Sequence, residues 1–347
     1  MTTALRAVDL FSGAGGVTTG YKSAGVHVVG AVDLDPASLL TYYANHPDVR
    51  LFSGDLAKLD PKKLRRHLGL RRYELDVLTA CAPCQTFSTL GAKARKARDP
   101  RNALMERVVA FAAELRPRCV VMENVPQLTK HARFRRVVAA LRALGYGVRY
   151  AIVNAADFGV PQSRRRLVLI ALRGVADADV PELSAAHPVL RRRVRRRTVR
   201  QTLAPLGVRP RDPLHRQRVD YPDIVARRIA ASPADGGSRS SLGGKLRLKC
   251  HAALGSDKIA CTNIYGRMRW DDVAPTLTTR CTTPACGRFL HPNKPRAITV
   301  REAACLQSFP KSYRFEGGSM ALQAQVGNAV PPKLARAIAL VVAQALK

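Results

Sequence analysis

Short apolar runs that end at glycine, proline or acidic residues recur along the first half of the chain. Each run has the length and β-branched content of a buried strand, and stretches with helical spacing lie between some of them. The predicted strands are Leu5–Phe11, Val28–Asp33, Asp76–Ala80, Cys119–Val125 and Leu167–Leu172, with a further segment at Tyr150–Asn154, and the predicted helices include 103–115 and 134–144. This alternation predicts an α/β fold whose functional groups lie at the carboxyl ends of the strands.

The pattern changes near Gly174. From there to about Pro295 the chain lacks long apolar periodicity and is rich in Arg, Gly, Pro and Ser, including the run 191–197. Regular patterning returns at Ala297, where Thr299 and Glu302 have the spacing of a capping box. We therefore predict an α/β part at residues 1–175, an inserted domain at 176–298, and a C-terminal part at 299–347 that completes the first.

A glycine loop follows the first predicted strand. Its sequence, Ser12-Gly13-Ala14-Gly15-Gly16, is neither the G-x-G-x-x-G pattern nor a P-loop, so it does not imply a diphosphate ligand. The next strand ends at Asp33, where an α/β nucleotide site places the acid that binds a ribose, although Asp33 could also serve as an ordinary helix cap. With Asp55 after a third short run, the pattern indicates an adenosine-containing cofactor.

Cys84 follows Pro83 directly after a predicted buried strand, which is where an α/β fold presents reactive groups. Cys81 and Cys84 also form a C-x-x-C, but no second Cys/His pair has the matching spacing for zinc. Glu123 ends another apolar run, and a carboxylate is costly to bury there without a partner. We expect Cys84 and Glu123 to be functional and no metal to be bound, although Cys250, Cys261, Cys281 and Cys286 leave a metal site open.

Lys and Arg outnumber Asp and Glu by 58 to 25, giving a net charge of +33. This excess indicates a polyanionic partner, with nucleic acid favoured over a membrane surface. No apolar run approaches the roughly 20 residues of a membrane span, and the N-terminus lacks a signal-peptide pattern. We expect a cytoplasmic, nucleoid-associated protein with reduced thiols. The basic segment Gly91–Arg101 is either a lid over a phosphate backbone or an exposed surface loop.

Six motifs in one order resemble those of the bacterial DNA (cytosine-5)-methyltransferases. They are Asp9–Gly16 for the first motif, Pro83-Cys84-Gln85 for the nucleophile, Glu123-Asn124-Val125 for the acid, Gln162–Arg166 for Q-x-R-x-R, Arg301–Pro310 for R-E-x-x-x-x-Q-x-F-P, and Gln325–Pro332 for Q-x-G-N-x-x-P-P. The chain departs from the family at Ala80-Cys81-Ala82, where many members carry small residues or Gly-Gly-Pro. The resemblance implies a Rossmann-like methyltransferase sheet with a smaller inserted target-recognition domain.

The resemblance also implies the chemistry. The Cys84 thiolate adds to carbon 6 of a flipped-out cytosine, and carbon 5 then takes a methyl group from S-adenosyl-L-methionine, leaving S-adenosyl-L-homocysteine. Glu123 holds or protonates ring nitrogen 3, while Arg164 and Arg166 hold the base's carbonyl oxygen and the adjacent phosphate. The expected partner is double-stranded DNA, bound by a monomeric enzyme, with a cognate restriction endonuclease as a functional rather than physical partner.

The resemblance further assigns the binding residues. The cofactor contacts implied are Phe11, Gly13, Gly15, Gly16, Asp33, Leu34, Asp55, Pro83, Asn328 and Ala329. The DNA contacts implied are Gln85, Ser88, Lys93, Arg95, Gln162 and Arg280. Methylation of cytosine in transfer RNA is the alternative activity, which the arginine-rich insert disfavours, and the retention of Cys84 and Glu123 argues against an inactive regulator.

Overall fold

The structure is a computed structural model that describes residues 4–83, 104–191, 195–207, 211–215, 219–248 and 263–347. Its centre is a seven-stranded sheet with the order β3-β2-β1-β4-β5-β7-β6. The strands are β1 Arg6–Leu10, β2 His27–Asp33, β3 Arg50–Ser53, β4 Val77–Ala80, β5 Cys119–Asn124, β6 Tyr146–Asn154 and β7 Arg165–Arg173. The first five are parallel, whereas β7 is antiparallel to both β5 and β6. The predicted α/β fold is confirmed.

Ten α-helices accompany the sheet in the described residues. They are α1 Gly16–Ser23, α2 Pro36–Asn45, α3 Pro61–His67, α4 Leu104–Leu115, α5 Ala132–Ala143, α6 Val199–Leu203, α7 Asp223–Ala230, α8 Val300–Leu306, α9 Ser319–Asn328 and α10 Pro332–Ala345. Two of them begin at Asp-Pro pairs, in which the carboxylate of Asp35 or Asp60 accepts a backbone N–H of the first turn. Proline suits the first helical position because its missing N–H has no intrahelical partner there.

Successive residues of the parallel strands point to opposite faces of the sheet, and each face has its own core. Val77 and Val121 pack on the face covered by α1 and α10, whereas Leu78 and Val120 pack on the face covered by α3, α4 and α5. Both faces are therefore buried, as parallel sheets require.

The insert shares its core with the C-terminal part. Val199 and Met268 belong to the same cluster of buried apolar residues as Leu306 and Val326. A smaller cluster around Tyr265 lies within the insert. The segment just after the predicted boundary at residue 175 still packs on the sheet, through Val180, Leu183 and Leu190. The boundaries 1–175, 176–298 and 299–347 stay a prediction.

The segment Ser319–Ala345 is long and apolar enough to cross a membrane by length and composition alone. In the structure it consists of two helices separated at Ala329–Pro331, and α10 packs against α1 as a core helix. At the contact, a Cβ added to Gly20 would lie 2.4 Å from the carbonyl oxygen of Pro332. Burial in this core accounts for the apolar composition of the segment.

Candidate active site

The glycine loop lies at the carboxyl end of β1, between the ends of β2 and β4. Gly13 and Gly15 have φ of +51° and +87°, a region that L side chains rarely adopt. A Cβ on Gly16 would lie 2.3 Å from the carbonyl oxygen of Val330, so the C-terminal segment presses against the loop from one side. The space next to Gly13 is open within 4 Å. The loop thus has one packed side and one side that a ligand can approach.

Asp33 holds this loop in place at the end of β2. Its Oδ2 accepts the Gly13 N–H at 2.7 Å, and its Oδ1 accepts those of Leu34 and Asp35 at 2.8 and 2.9 Å. Burial raises the pKa of this carboxyl, and the three backbone N–H donors oppose that rise. A carboxylate has about four lone-pair sites, so Asp33 can accept one more hydrogen bond, as from a ribose hydroxyl.

The other predicted cofactor residues lie along the same edge of the sheet. Because β3, β2 and β1 are neighbours, the residues that follow them, Asp55, Leu34 and Phe11, are brought together. Leu34 is 62% exposed, which is a large exposed fraction for a leucine. A flat apolar ligand lying on this side chain would cover it. Asp55 is half-buried and accepts the Ala57 N–H.

One buried hydroxyl in this region has no hydrogen-bond partner among the described residues. Ser12 is 6% exposed, and its Oγ is left unpaired next to Gly13. Buried hydroxyls normally have a partner, so this one suggests that a polar group of a ligand lies nearby. The open side of Gly13, the free capacity of Asp33 and this hydroxyl fit an adenosine-containing cofactor.

The predicted catalytic carboxyl lies two strands away, near the end of β5. Glu123 is 8% exposed, and the Nε of Arg166 lies 3.0 Å from its Oε1. The contact is an ion pair without an aligned hydrogen bond, because Oε1 has no partner of correct geometry. Burial raises the pKa of Glu123, while Arg166 and Arg164 oppose the rise. Glu123 therefore retains its proton to a higher pH than an exposed glutamate and can donate it to a base.

The turn that leads to Cys84 is fixed next to Glu123. The strand pairing places Ala80 beside Met122, and the Asn124 side chain donates to the Ala82 carbonyl at 3.0 Å. Pro83 is half-buried at the end of this turn. Cys84 and the predicted DNA contacts Gln85, Ser88, Lys93 and Arg95 lie outside the described residues, as does the basic loop at 91–101.

Arg164, the second predicted catalytic arginine, lies inside the protein. Its guanidinium is buried and donates to the carbonyl oxygens of Leu277, Gly327 and Ala329 at 3.1, 3.1 and 3.2 Å. These bonds join the end of the insert to the C-terminal segment. Arg164 thus holds these segments together, and Arg166 is the arginine in contact with Glu123. The predicted contacts of the two arginines with the carbonyl oxygen of the base and the adjacent phosphate stay a prediction.

Gln162, a predicted DNA contact, is also enclosed by the protein. It has no exposed area, accepts the Leu277 N–H at 2.9 Å and donates to the side chain of Gln307. These contacts give Gln162 a structural role in this structure, and its predicted contact with DNA stays a prediction. Arg280, by contrast, is exposed and remains accessible to a phosphate.

The C-terminal motif reaches the same edge of the sheet. Asn328 is exposed at the end of α9, and the Ala329 carbonyl accepts from Gln307 as well as from Arg164. Sequence reasoning did not single out Asn124, which lies within a quoted motif, or the buried pair His46 and Tyr313. Neither His46 nor Tyr313 stands out locally, because they meet across 267 residues of chain.

Comparison with known proteins settles the family. The sequence-family model of the C-5 cytosine-specific DNA methylases matches residues 5–344 of this chain. This chain belongs to that family. A type II methylase of Herpetosiphon aurantiacus, M.HgiDII, is 34% identical over 346 residues, covering 96% of this chain and 93% of its own. M1.HphI of Haemophilus parahaemolyticus is 34% identical over 340 residues, covering 96% and 85%.

Solved structures give the same fold. A putative DNA modification methyltransferase from an E. coli prophage matches with a TM-score of 0.70 at 24% identity, covering 99% of both chains. The Dnmt2 methyltransferase of S. pombe matches with a TM-score of 0.66 at 17% identity, covering 99% of this chain and 100% of its own. As a cytosine-5 DNA methylase, the enzyme methylates cytosine in DNA and depends on S-adenosylmethionine. The predicted family, fold and activity are confirmed.

Among the described residues, no group of three or more His, Cys, Asp or Glu is arranged to hold a metal ion. Within the described part of the chain, Cys281 and Cys286 form no disulfide, and neither do Cys81, Cys119 and Cys305. Cys250 and Cys261 lie outside the described residues, so the metal alternative raised for the insert is tested only in part.

Proposed function

We propose that the enzyme methylates carbon 5 of a cytosine flipped out of duplex DNA at a specific sequence, through a covalent adduct of Cys84 at carbon 6. The observation that supports this most strongly is the placement of a buried Glu123 beside the turn that leads into Cys84. A base must leave the helix to enter such a site, because its reacting atoms are inaccessible within the duplex.

Glu123 supplies the acid in this proposal. A protonated carboxyl donates to ring nitrogen 3. This hydrogen bond makes carbon 6 more electrophilic, so that the Cys84 thiolate can add to it. Arg166 holds the Glu123 carboxyl in position through its contact at 3.0 Å. The adduct leaves carbon 5 as a nucleophile, and loss of its proton later expels the thiolate.

The cofactor binds at the glycine loop in this proposal. Asp33 takes the ribose hydroxyls, Leu34 and Phe11 cover the adenine, and Asp55 takes the adenine amine. Gly13, Gly15 and Gly16 allow the methionine part to approach the backbone, with Pro83, Asn328 and Ala329 beside it. S-adenosylmethionine supplies an electrophilic methyl group when bound, and S-adenosylhomocysteine is the product.

We assign the insert at 176–298 to sequence recognition, with Arg280 as a phosphate contact. The net charge of +33 supports a polyanionic substrate. We further propose a monomeric cytoplasmic enzyme, with a restriction endonuclease that recognises the same sequence as its functional partner.

Labelled S-adenosylmethionine tests the proposal with duplex DNA and with transfer RNA as separate substrates. We expect label in duplex DNA only, and loss of at least about 10³-fold in turnover for Cys84→Ser with DNA binding retained. Cys286→Ser, which removes a half-buried thiol of the insert, is the matched control and should keep its turnover. Label only in transfer RNA, or wild-type turnover in Cys84→Ser, would overturn the proposal.

A further inference from the structure

Three polar side chains from separate elements meet behind the glycine loop. Thr19 comes from α1, His46 follows α2, and Tyr313 lies between α8 and α9. The His46 Nε2 lies 3.2 Å from the Thr19 Oγ1 and 3.1 Å from the Tyr313 hydroxyl. His46 and Tyr313 are 5% and 4% exposed, so water does not compete for these contacts.

Both hydroxyls donate their hydrogen to carbonyl oxygens of the loop. Tyr313 donates to the Ala14 carbonyl at 2.6 Å, and Thr19 donates to the Gly15 carbonyl at 2.8 Å. Thr19 also lies 3.5 Å from the Tyr313 hydroxyl, but its single hydrogen follows the much shorter contact. Neither hydroxyl then has a hydrogen left for His46.

The hydrogens of the two hydroxyls determine which nitrogen of the His46 imidazole is protonated. Two oxygen atoms without an available hydrogen face the His46 Nε2, so that nitrogen must carry the proton and donate to both. Burial, followed by the charge of Lys22, lowers the pKa of His46 to about 4, which keeps the ring neutral. The ring is therefore fixed as the neutral Nε2–H tautomer.

The loop is in direct contact with this group. A Cβ on Gly15 would lie 2.7 Å from the Tyr313 hydroxyl and 2.8 Å from the His46 Cδ2, so the glycine backbone fits against both side chains. The carbonyls of two successive loop residues, Ala14 and Gly15, are fixed from the same side. The orientation of these carbonyls sets the two peptide planes that follow Ala14 and Gly15 in the loop.

We propose that His46 and Tyr313 are positioning residues for the cofactor, acting by fixing the Ala14 and Gly15 peptide planes through a neutral Nε2–H imidazole. The inference rests on the proposed binding of S-adenosylmethionine at the glycine loop. It adds two residues, 267 positions apart, to those assigned from the motifs. A purely structural role would affect stability without changing cofactor affinity.

Tyr313→Phe removes only the hydroxyl, because the ring still packs against Phe309 and Phe315 with centroids 4.7 and 5.2 Å away. We expect the Kd for S-adenosylhomocysteine, measured by calorimetry, to rise about five- to tenfold. The KM for S-adenosylmethionine should rise with it, while kcat at saturation stays within about twofold of wild type. Tyr43→Phe on α2, where the side chain is 61% exposed, is the control and should leave Kd unchanged.

His46 variants test the direction of the hydrogen bond. His46→Gln retains an N–H donor and should recover most of the affinity that His46→Leu loses. The ¹⁵N spectrum of the wild-type protein reports the tautomer without any substitution, and the proton should be found on Nε2.

A proton on Nδ1, or a Tyr313→Phe Kd equal to that of wild type, would overturn the inference. Failure of the wild-type enzyme itself to bind S-adenosylhomocysteine would instead overturn the proposed cofactor site on which the inference rests.

Discussion

Glu123 is the buried carboxyl to which we assign the acid role in the proposed reaction. Three influences act on it: burial, which raises its pKa, and two arginines, which lower it. Burial is the largest of the three, so the acid form persists to higher pH than in water. The ion pair with Arg166 orients this carboxyl without neutralising the effect of burial.

Glu123→Gln keeps the size and an N–H donor but removes the transferable proton. We expect kcat to fall by about 10²–10³-fold, within the range of general acid catalysis, while the Kd for S-adenosylhomocysteine stays within about twofold. In the wild type, the step that needs the Glu123 proton should slow as pH rises through the raised pKa, and the variant should lack this alkaline decline. Single-turnover rates measured at increasing pH, beginning at the ordinary pKa of glutamate, report both effects. An unchanged decline in the variant would exclude Glu123 as its source.

Residue motifs located the site but not the direction of every side chain. Asp33 and Glu123 were found because an apolar run that ends in a carboxylate is a local signal. Arg164 and Gln162 also lie in a recognised motif, yet their side chains turn into the protein and bind backbone and Gln307. Sequence spacing gives the position of a residue on a strand end, and packing across more than 100 residues decides where its side chain points.

At the scale of elements, local signals set most boundaries. The capping box at Thr299 forms as predicted: its hydroxyl accepts the Glu302 N–H, and the Glu302 carboxylate accepts the Thr299 N–H. The strand β6 was indicated only in its second half, because Gly147 interrupts its apolar pattern. A Cβ at Gly147 would lie 2.5 Å from the carbonyl oxygen of Val175, so the close packing of that later segment requires a glycine. The local sequence pattern of the strand does not reveal this contact.

Two helices in the described ranges, α6 and α8, begin at capping boxes and provide a matched comparison. Thr299 is 7% exposed and also contacts the His215 Nδ1 at 2.9 Å, whereas Thr198 caps α6 from a half-exposed position. Thr299→Ala should lower the free energy of unfolding by about 2 kcal/mol, and Thr198→Ala by about 1 kcal/mol or less. Urea denaturation of both variants measures the difference, and equal losses would show that burial does not strengthen the Thr299 cap.

At the scale of the molecule, the net charge determines how binding to DNA depends on salt. The net charge of +33 predicts DNA binding that weakens steeply with salt, because each neutralised phosphate releases condensed counterions. Arg280→Ala should reduce the slope of log K against log salt by about 0.9 if this side chain contacts one phosphate. Arg71→Ala, which removes a 90%-exposed arginine between α3 and β4, is the charge-matched control.

Fluorescence anisotropy with a labelled duplex at several salt concentrations gives both slopes. Equal slopes for Arg280→Ala and Arg71→Ala would remove Arg280 from the DNA interface and leave only the general effect of one charge.

The hydrogen bond from Tyr313 to Ala14 has a consequence for the synthesis of the protein. It joins positions 299 residues apart, and the packing of α10 on α1 likewise joins segments that are distant in sequence. On the ribosome the glycine loop is made well before the residues that support it. Because contacts this distant in sequence form late and slowly, a nascent chain gains this support for the loop only after Tyr313 has been synthesised.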